Sequence, residues 1–187
     1  FRSAYLVLGV LAAVVGVGMA LLVDSDPRHH GLEPDGDPPR PQAQAAAHTG
    51  LTVAEAVRTR RFAGLYAAGL LSSFGTFVPF VHLAPYALDH GVARGLAVWL
   101  LGAIGVGSTA GRFFLGGLAD RMGRSLAVPL MFAGMALAML MWAASSSFWA
   151  LAVFGVVFGV FYGGYVALVP ALAMDWFGGR RIGAVLG

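Results

Sequence analysis

The sequence predicts an all-α membrane protein, a multispanning helical bundle. Two observations carry that prediction. The first is charge: the chain is 58% hydrophobic and 11% charged, against roughly 25% charged in an ordinary soluble domain. Long uncharged runs alternate with short charged patches, which is the pattern of a chain that crosses a membrane several times. A soluble bundle with a very apolar core does not account for that alternation. The second is the run from Gly95 to Leu118, 24 residues with Arg112 as its one charge. A helix of that length is about 36 Å long, enough to cross a bilayer with some tilt. A tight charged cluster follows at once, Asp120, Arg121 and Arg124, with Gly123 inside it.

Composition also excludes. There are no cysteines, so no disulfide framework and no cysteine-based metal site. All 12 basic residues are arginine, with a net charge of +3. They flank apolar runs, so they point to a membrane and not to a nucleic acid. The spans hold no paired acids, metal-ligand cluster or nucleophile–base pair. No enzyme activity, catalytic residue, metal or cofactor is expected.

In chain order, Ala4–Val23 is the first span, too long for a signal-peptide core. Residues 24–61 are polar and hold five of the nine prolines and six of the nine acids. Through Gln44 this stretch offers little apolar surface and is expected to be disordered or extended. From Thr52, TVAEAVRTRRF predicts a short amphipathic helix, with Thr52 as N-cap and Glu55 as its capping-box partner. Phe62–Leu88 is the second span, and Pro79 and Pro85 are expected to bend or break it. The Gly95 run is the third. About Leu126 to Ala144 is the fourth, with Ser145–Ser147 as its turn, and Phe148–Met174 the fifth. In the fifth, Gly155, Gly159 and Gly163 recur every four residues along one face, a small-xxx-small packing pattern. Ile182 onward opens a sixth. The chain starts at Phe1 without an initiator Met and stops as that apolar segment begins, so it reads as a fragment of a longer protein.

Loops 24–61, 119–125 and 175–181 carry nine arginines, and the alternate loops only Arg2 and Arg94. The positive-inside rule therefore places the first set in the cytoplasm.

Three stretches carry candidate chemistry. Gly105-Val-Gly107-Ser-Thr-Ala110 formally matches the GxGxxA dinucleotide fingerprint, but it lies inside a span, where small residues serve helix packing. Arg112 is an intramembrane charge, which is costly and usually faces a cavity or a partner. Ser108 and Gly105 lie one and two turns earlier on the same face. The guanidinium fork suits bidentate capture of a carboxylate; snorkelling to the nearby interface is the alternative that the residues alone leave open. In the turn Gly116-Gly-Leu-Ala-Asp120-Arg121-Met-Gly123-Arg124, Asp120 sits at a helix end whose dipole is unfavourable to it. It calls for a neighbouring helix N-terminus or an arginine, a clamp able to hold one conformation and release in another.

That Gly-x-Leu-Ala-Asp-Arg-x-Gly-Arg pattern, Gly116 to Arg124, resembles the signature loop of the major facilitator superfamily. The resemblance covers essentially the whole chain. It implies part of a 12-helix fold, about helices six to eleven: a transmembrane helix in 1–23 ending the N-terminal half, the cytoplasmic central linker 24–61, and the start of the C-terminal bundle in 62–187. The missing N-terminal half is then an obligatory partner. Phe74-Gly75-Thr-Phe77-Val-Pro79, Tyr86 and Ala110-Gly-Arg112 resemble the monocarboxylate transporter and oxalate/formate antiporter branch. There an arginine of helix eight contacts the substrate carboxylate, and Arg112 stands at the matching position. The branch's proton symporters carry an aspartate one turn earlier, where this chain has Ser108, so a proton carrier must be His82, lie in the missing half, or be absent as in anion exchange.

The expected function is secondary active transport of small organic anions by alternating access, with Arg112, Ser108, His82 and Tyr86 as substrate-binding residues. Gly116, Asp120, Arg121, Gly123 and Arg124 are the expected conformational loop. Transport of another class, such as drug or metabolite efflux, and a non-transporting membrane scaffold are the alternatives. Symport with protons and antiport both stay open, and a multi-pass protein of a bacterial inner membrane is expected.

Overall fold

The computed structural model describes residues 2–22, 50–179 and 182–186. The expected disorder of 24–44 lies outside them. The chain divides into two units, Phe1–Ala46 and Ala47–Gly187. The first holds α1 (Arg2–Leu22), apolar from Tyr5 onward and long enough to cross a membrane.

The second unit is helical throughout its described residues apart from turns and one isolated bridge. It opens with α2 (Val53–Val57). The predicted capping box is present: the Thr52 hydroxyl accepts from the Glu55 N–H, and the Glu55 carboxylate accepts from the Thr52 N–H at 2.7 Å. The Thr52 hydroxyl also donates to that carboxylate at 2.8 Å, and the two bonds from Thr52, the backbone N–H foremost, hold the Glu55 carboxyl below the usual carboxylate range. The cap is therefore intact above the ordinary glutamate range and is lost only as pH falls below it.

Phe62–Leu88 was expected to bend or break at its prolines. It forms α3 (Arg60–Thr76) and α4 (Val78–Asp89), parted at Phe77. The break precedes Pro79 because that ring has no N–H to give and crowds the residue before it, whereas the second position of a new helix needs no donor. Pro85 sits inside α4 without ending it.

Next come α5 (Arg94–Met122), α6 (Arg124–Ala143), α7 (Phe148–Phe177) and the short α8 (Ile182–Leu186). With α1 and α3–α4, helices α5, α6 and α7 are long and apolar enough to span a bilayer. The charged turn expected after Leu118 is itself helical, since α5 runs on through Asp120 and Arg121.

The axis of the bundle is the α5–α7 pair. Along α5 the buried positions are Ala97, Leu100, Ile104, Gly107, Ser108, Gly111 and Ala119, a single helical stripe. Along α7 they include Gly155, Gly159 and Gly163. A methyl on Gly163 would collide with the Ser108 backbone, one on Gly159 with the Ile104 carbonyl, and one on Gly111 with the Val160 carbonyl. The two backbones therefore touch, which only glycine permits. Gly107 of the GxGxxA run lies in this seam against Val156, while nothing lies near Gly105. The run is a packing device on a helix, with no strand before it.

Aromatics fill the rest. Leu83 and Ala87 of α4 pack with Leu100, Ile104, Trp142, Phe154 and Phe158.

Candidate functional site

The two ends of the second unit differ. One carries Asp89–Arg94 and the Ser145–Ser147 turn; the other carries the α2–α3 junction, the α5–α6 turn and the α7–α8 turn, here called the basic end. Cross-links define them: the Tyr86 hydroxyl donates to the Ser145 carbonyl at 2.9 Å at the first, and the Leu51 N–H donates to the Phe177 carbonyl at 2.9 Å at the second.

Arg112 lies on α5 between them. It immediately follows Gly111, whose backbone is pressed onto Val160, so its Cα has little freedom. Its side chain is exposed, and no ion pair engages it among the described residues. Phe113 and Phe114 beside it are also exposed, at 79% and 78%. The arginine thus leaves the seam at its edge, with a cation and two aromatic rings on an open face of the helix. Ser108, one turn earlier, is buried in the seam, its backbone under Gly163.

His82 and Tyr86 are elsewhere. His82 is exposed on α4. Tyr86 is half-buried, its ring 4.1 Å from that of His90 and edge-on to Trp142 at 5.6 Å. Its hydroxyl is occupied by Ser145, so it ties α4 to the turn between α6 and α7. Arg94 marks that end on α5, and 18 residues separate it from Arg112, about 27 Å of helix. Ser108 and Arg112 lie one turn apart on α5, the first buried and the second exposed, and Tyr86 lies at the far end.

At the basic end, Gly123 joins α5 directly to α6 with φ +89, a left-handed value that a side chain resists. That tight turn presents Arg124 back toward Asp120, with Nη2 to Oδ1 at 3.1 Å. Nη1 reaches Oδ1 of Asp175, near the end of α7, at 3.0 Å. Both carboxylates sit at the C-terminal ends of their helices, where the dipole opposes them, and one guanidinium answers both. The expected arginine partner of Asp120 is Arg124 of its own turn. Asp175 was missed. Its signal was available: outside 24–61 the acids are only Asp89, Asp120 and Asp175, and Asp175 falls in a loop of the same arginine-rich set as Asp120. Arg121 is exposed and Gly116 faces open space.

The Arg124 pairs are half-exposed, so each contributes only about 0–1 kcal/mol. That is too little to hold the fold. Asp175→Asn and Asp120→Asn are each expected to change transport rate by up to about fivefold, with substrate affinity nearly unchanged. Rates and equilibrium binding measured on full-length protein check this; unchanged rates in both variants would reduce the cluster to a topological signal.

A cleft of about 470 Å³ on α5 is lined by Phe113, Phe114 and Arg121. Two further clefts lie away from α5. One of about 160 Å³ lies between α3, α6 and α7, lined by Ser72, Thr76, Phe132, Met135 and Phe158. Its hydroxyls are engaged with carbonyls of their own helix, Gly69 and Ser72, so it is effectively apolar. A second, of about 380 Å³, lies among Tyr66, Gly69, Ser73, Tyr165 and Leu186. Neither contains a charged group.

Comparison with known proteins agrees with this architecture. The profile of the Major Facilitator Superfamily matches residues 1–187. Monocarboxylate transporter 12-B of Danio rerio is 38% identical over 122 residues, 63% of this chain and 26% of that protein. Monocarboxylate transporter 11 of Homo sapiens is 35% identical over 122 residues, 65% of this chain and 24% of that protein. The aspyridones efflux protein apdF of Emericella nidulans is 28% identical over 134 residues, 71% of this chain and 28% of that protein. The chain thus spans about a quarter of the length of these relatives. With five helices among its described residues long and apolar enough to span a bilayer, a helical signature turn clamped by Arg124 and a profile match along its whole length, this chain belongs to the major facilitator superfamily, an integral, multi-pass membrane protein of a transporter family and not an enzyme.

Proposed function

We propose that the protein is a secondary active transporter of small organic anions, and that Arg112 binds the substrate carboxylate. The observation that carries the reading is an arginine on an apolar span, exposed at the edge of a backbone-tight helix seam and engaged by no carboxylate among the described residues. A cation in that position is costly unless something answers it, and a bidentate carboxylate does so with two charge-assisted hydrogen bonds. Ser108 contributes by fixing the α5 backbone one turn away. Two relatives named monocarboxylate transporters favour the same substrate class. His82 is the proton carrier if transport is coupled to protons. Tyr86 acts by holding α4 to the Ser145 turn. Alternating access follows if the Arg124 clamp closes in one state and opens in the other.

Metabolite efflux is the second reading, favoured by the relative named for aspyridones efflux. The relatives compared are animal and fungal, so they lend no support to a bacterial inner membrane.

Full-length protein in proteoliposomes is expected to take up small monocarboxylates saturably. Uptake of bulky neutral metabolites with no carboxylate uptake would replace this reading by the second. The orientation has its own test. With the linker on the cytoplasmic side, cysteines placed at Ala45 and Ser146 label from opposite faces of the membrane; labelling from one face refutes the orientation.

A further inference from the structure

The basic end holds a charge cluster that transport does not use. Arg58, Arg60 and Arg61 fall within four residues at the α2–α3 junction, and all three are exposed. The carboxylates of this end are engaged elsewhere: Glu55 accepts from Thr52, and Asp120 and Asp175 accept from Arg124. Among the described residues no ion pair reaches the three arginines.

The junction under them is held firmly. Thr59 caps α3 by accepting from the Phe62 N–H at 3.1 Å. Phe62 stacks on Tyr66 at 4.1 Å and meets Phe177 edge-on at 6.2 Å. Ala56 is fully buried against Ala173, Phe177 and Val185. The Arg61 guanidinium lies 5.8 Å from the ring of Trp176. Stacking uses the face of that group and leaves its N–H edge free to donate.

Further along, α3 presents an apolar strip. Leu70, Leu71 and Phe74 are 64%, 72% and 75% exposed, about 15–21 Å into the span from Arg60 at about 1.5 Å per residue. Uncompensated cations at the rim of a span, an interfacial tryptophan beneath them and an apolar strip running inward match the parts of a phospholipid in order: phosphate, interface, acyl chain.

We infer that the α2–α3 junction is a seat for an anionic phospholipid, whose phosphate is held by Arg58, Arg60 and Arg61 and whose acyl chain lies along Leu70, Leu71 and Phe74. The seat shares its rigid base with the α7 end that carries Asp175, so an occupied seat braces the element that Arg124 grips.

The test uses purified, delipidated full-length protein, with retained lipid counted by native mass spectrometry. The probes are phosphatidylglycerol, phosphatidylcholine and glycerol 3-phosphate. Phosphatidylglycerol is expected to be retained over phosphatidylcholine, less so as salt rises. An Arg60→Gln, Arg61→Gln double variant is expected to bind it about tenfold more weakly, while Arg94→Gln at the opposite end binds as wild type. Arg58→Gln alone, at an exposed position, gives a smaller loss and serves if the double variant does not fold. Equal retention of the two lipids by wild type, or undiminished phosphatidylglycerol binding in the arginine variants, overturns the seat. Glycerol 3-phosphate competing as well as the lipid overturns the lipid assignment in favour of a soluble phosphate.

Discussion

Gly163→Leu is expected to abolish the folded protein. A Cβ at this position would already collide with the Ser108 backbone, and a backbone cannot turn aside as a side chain can. The helices α5 and α7 must then separate, and the contacts of Gly155, Gly159, Gly107 and Gly111 open with them. Overpacking a tight core by a few atoms costs about 1–3 kcal/mol, and here an entire isobutyl group enters the longest interface of the bundle. Gly163→Ala should show a graded version, a lowered melting temperature with some protein surviving. Gly105→Ala, with nothing near its position, should behave as wild type. Yield of monodisperse full-length protein and its thermal unfolding in detergent check all three. A Gly163→Ala protein as stable as wild type would mean that the two backbones do not touch.

Arg112→Ala is expected to cut substrate affinity by more than tenfold. A charge-assisted hydrogen bond contributes about 1.5–3 kcal/mol, and the variant removes both the fork and its charge. Arg112→Lys separates the roles of the residue. It keeps the charge and loses the bidentate geometry, so it should be intermediate or equally poor. An arginine that merely snorkels predicts that lysine substitutes well, since its stem also reaches the interface. Neither substitution should disturb folding, because the Arg112 side chain is exposed while the seam is made by Gly111 and Ser108. Comparison of thermal unfolding with equilibrium binding tells the two effects apart.

Much of the fold was legible because the bilayer imposes long uncharged runs. The spans read from hydropathy coincide with α1 and α3 to α7 within a few residues, except where charge and helix part company. Asp120 and Arg121 end the apolar run but not α5, since a charged side chain leaves the bilayer without leaving the helix. The cap at Thr52 and Glu55 was legible because it is local. The α7 glycine stripe was legible as packing, though its partner was not: that Gly163 meets Ser108 depends on the relative rotation of two helices, which no local pattern states. The site was legible only in part. Arg112 stands out in sequence as a lone charge in an apolar run. The placement of Tyr86 was not legible, because the bond from its hydroxyl to the Ser145 carbonyl crosses 59 residues. For Asp175 the sequence offered its place in the same arginine-rich set of loops as Asp120, but not its link to Arg124, which crosses 51 residues.

The central claim is that the protein binds a substrate carboxylate through Arg112. Calorimetric binding of a small carboxylic acid and its neutral amide to purified full-length protein tests it most directly, in wild type and in Arg112→Lys. The account predicts that wild type binds the acid at least tenfold more tightly than the amide, and that Arg112→Lys loses most of this preference. Equal binding of acid and amide by wild type, or an undiminished preference in Arg112→Lys, would contradict it.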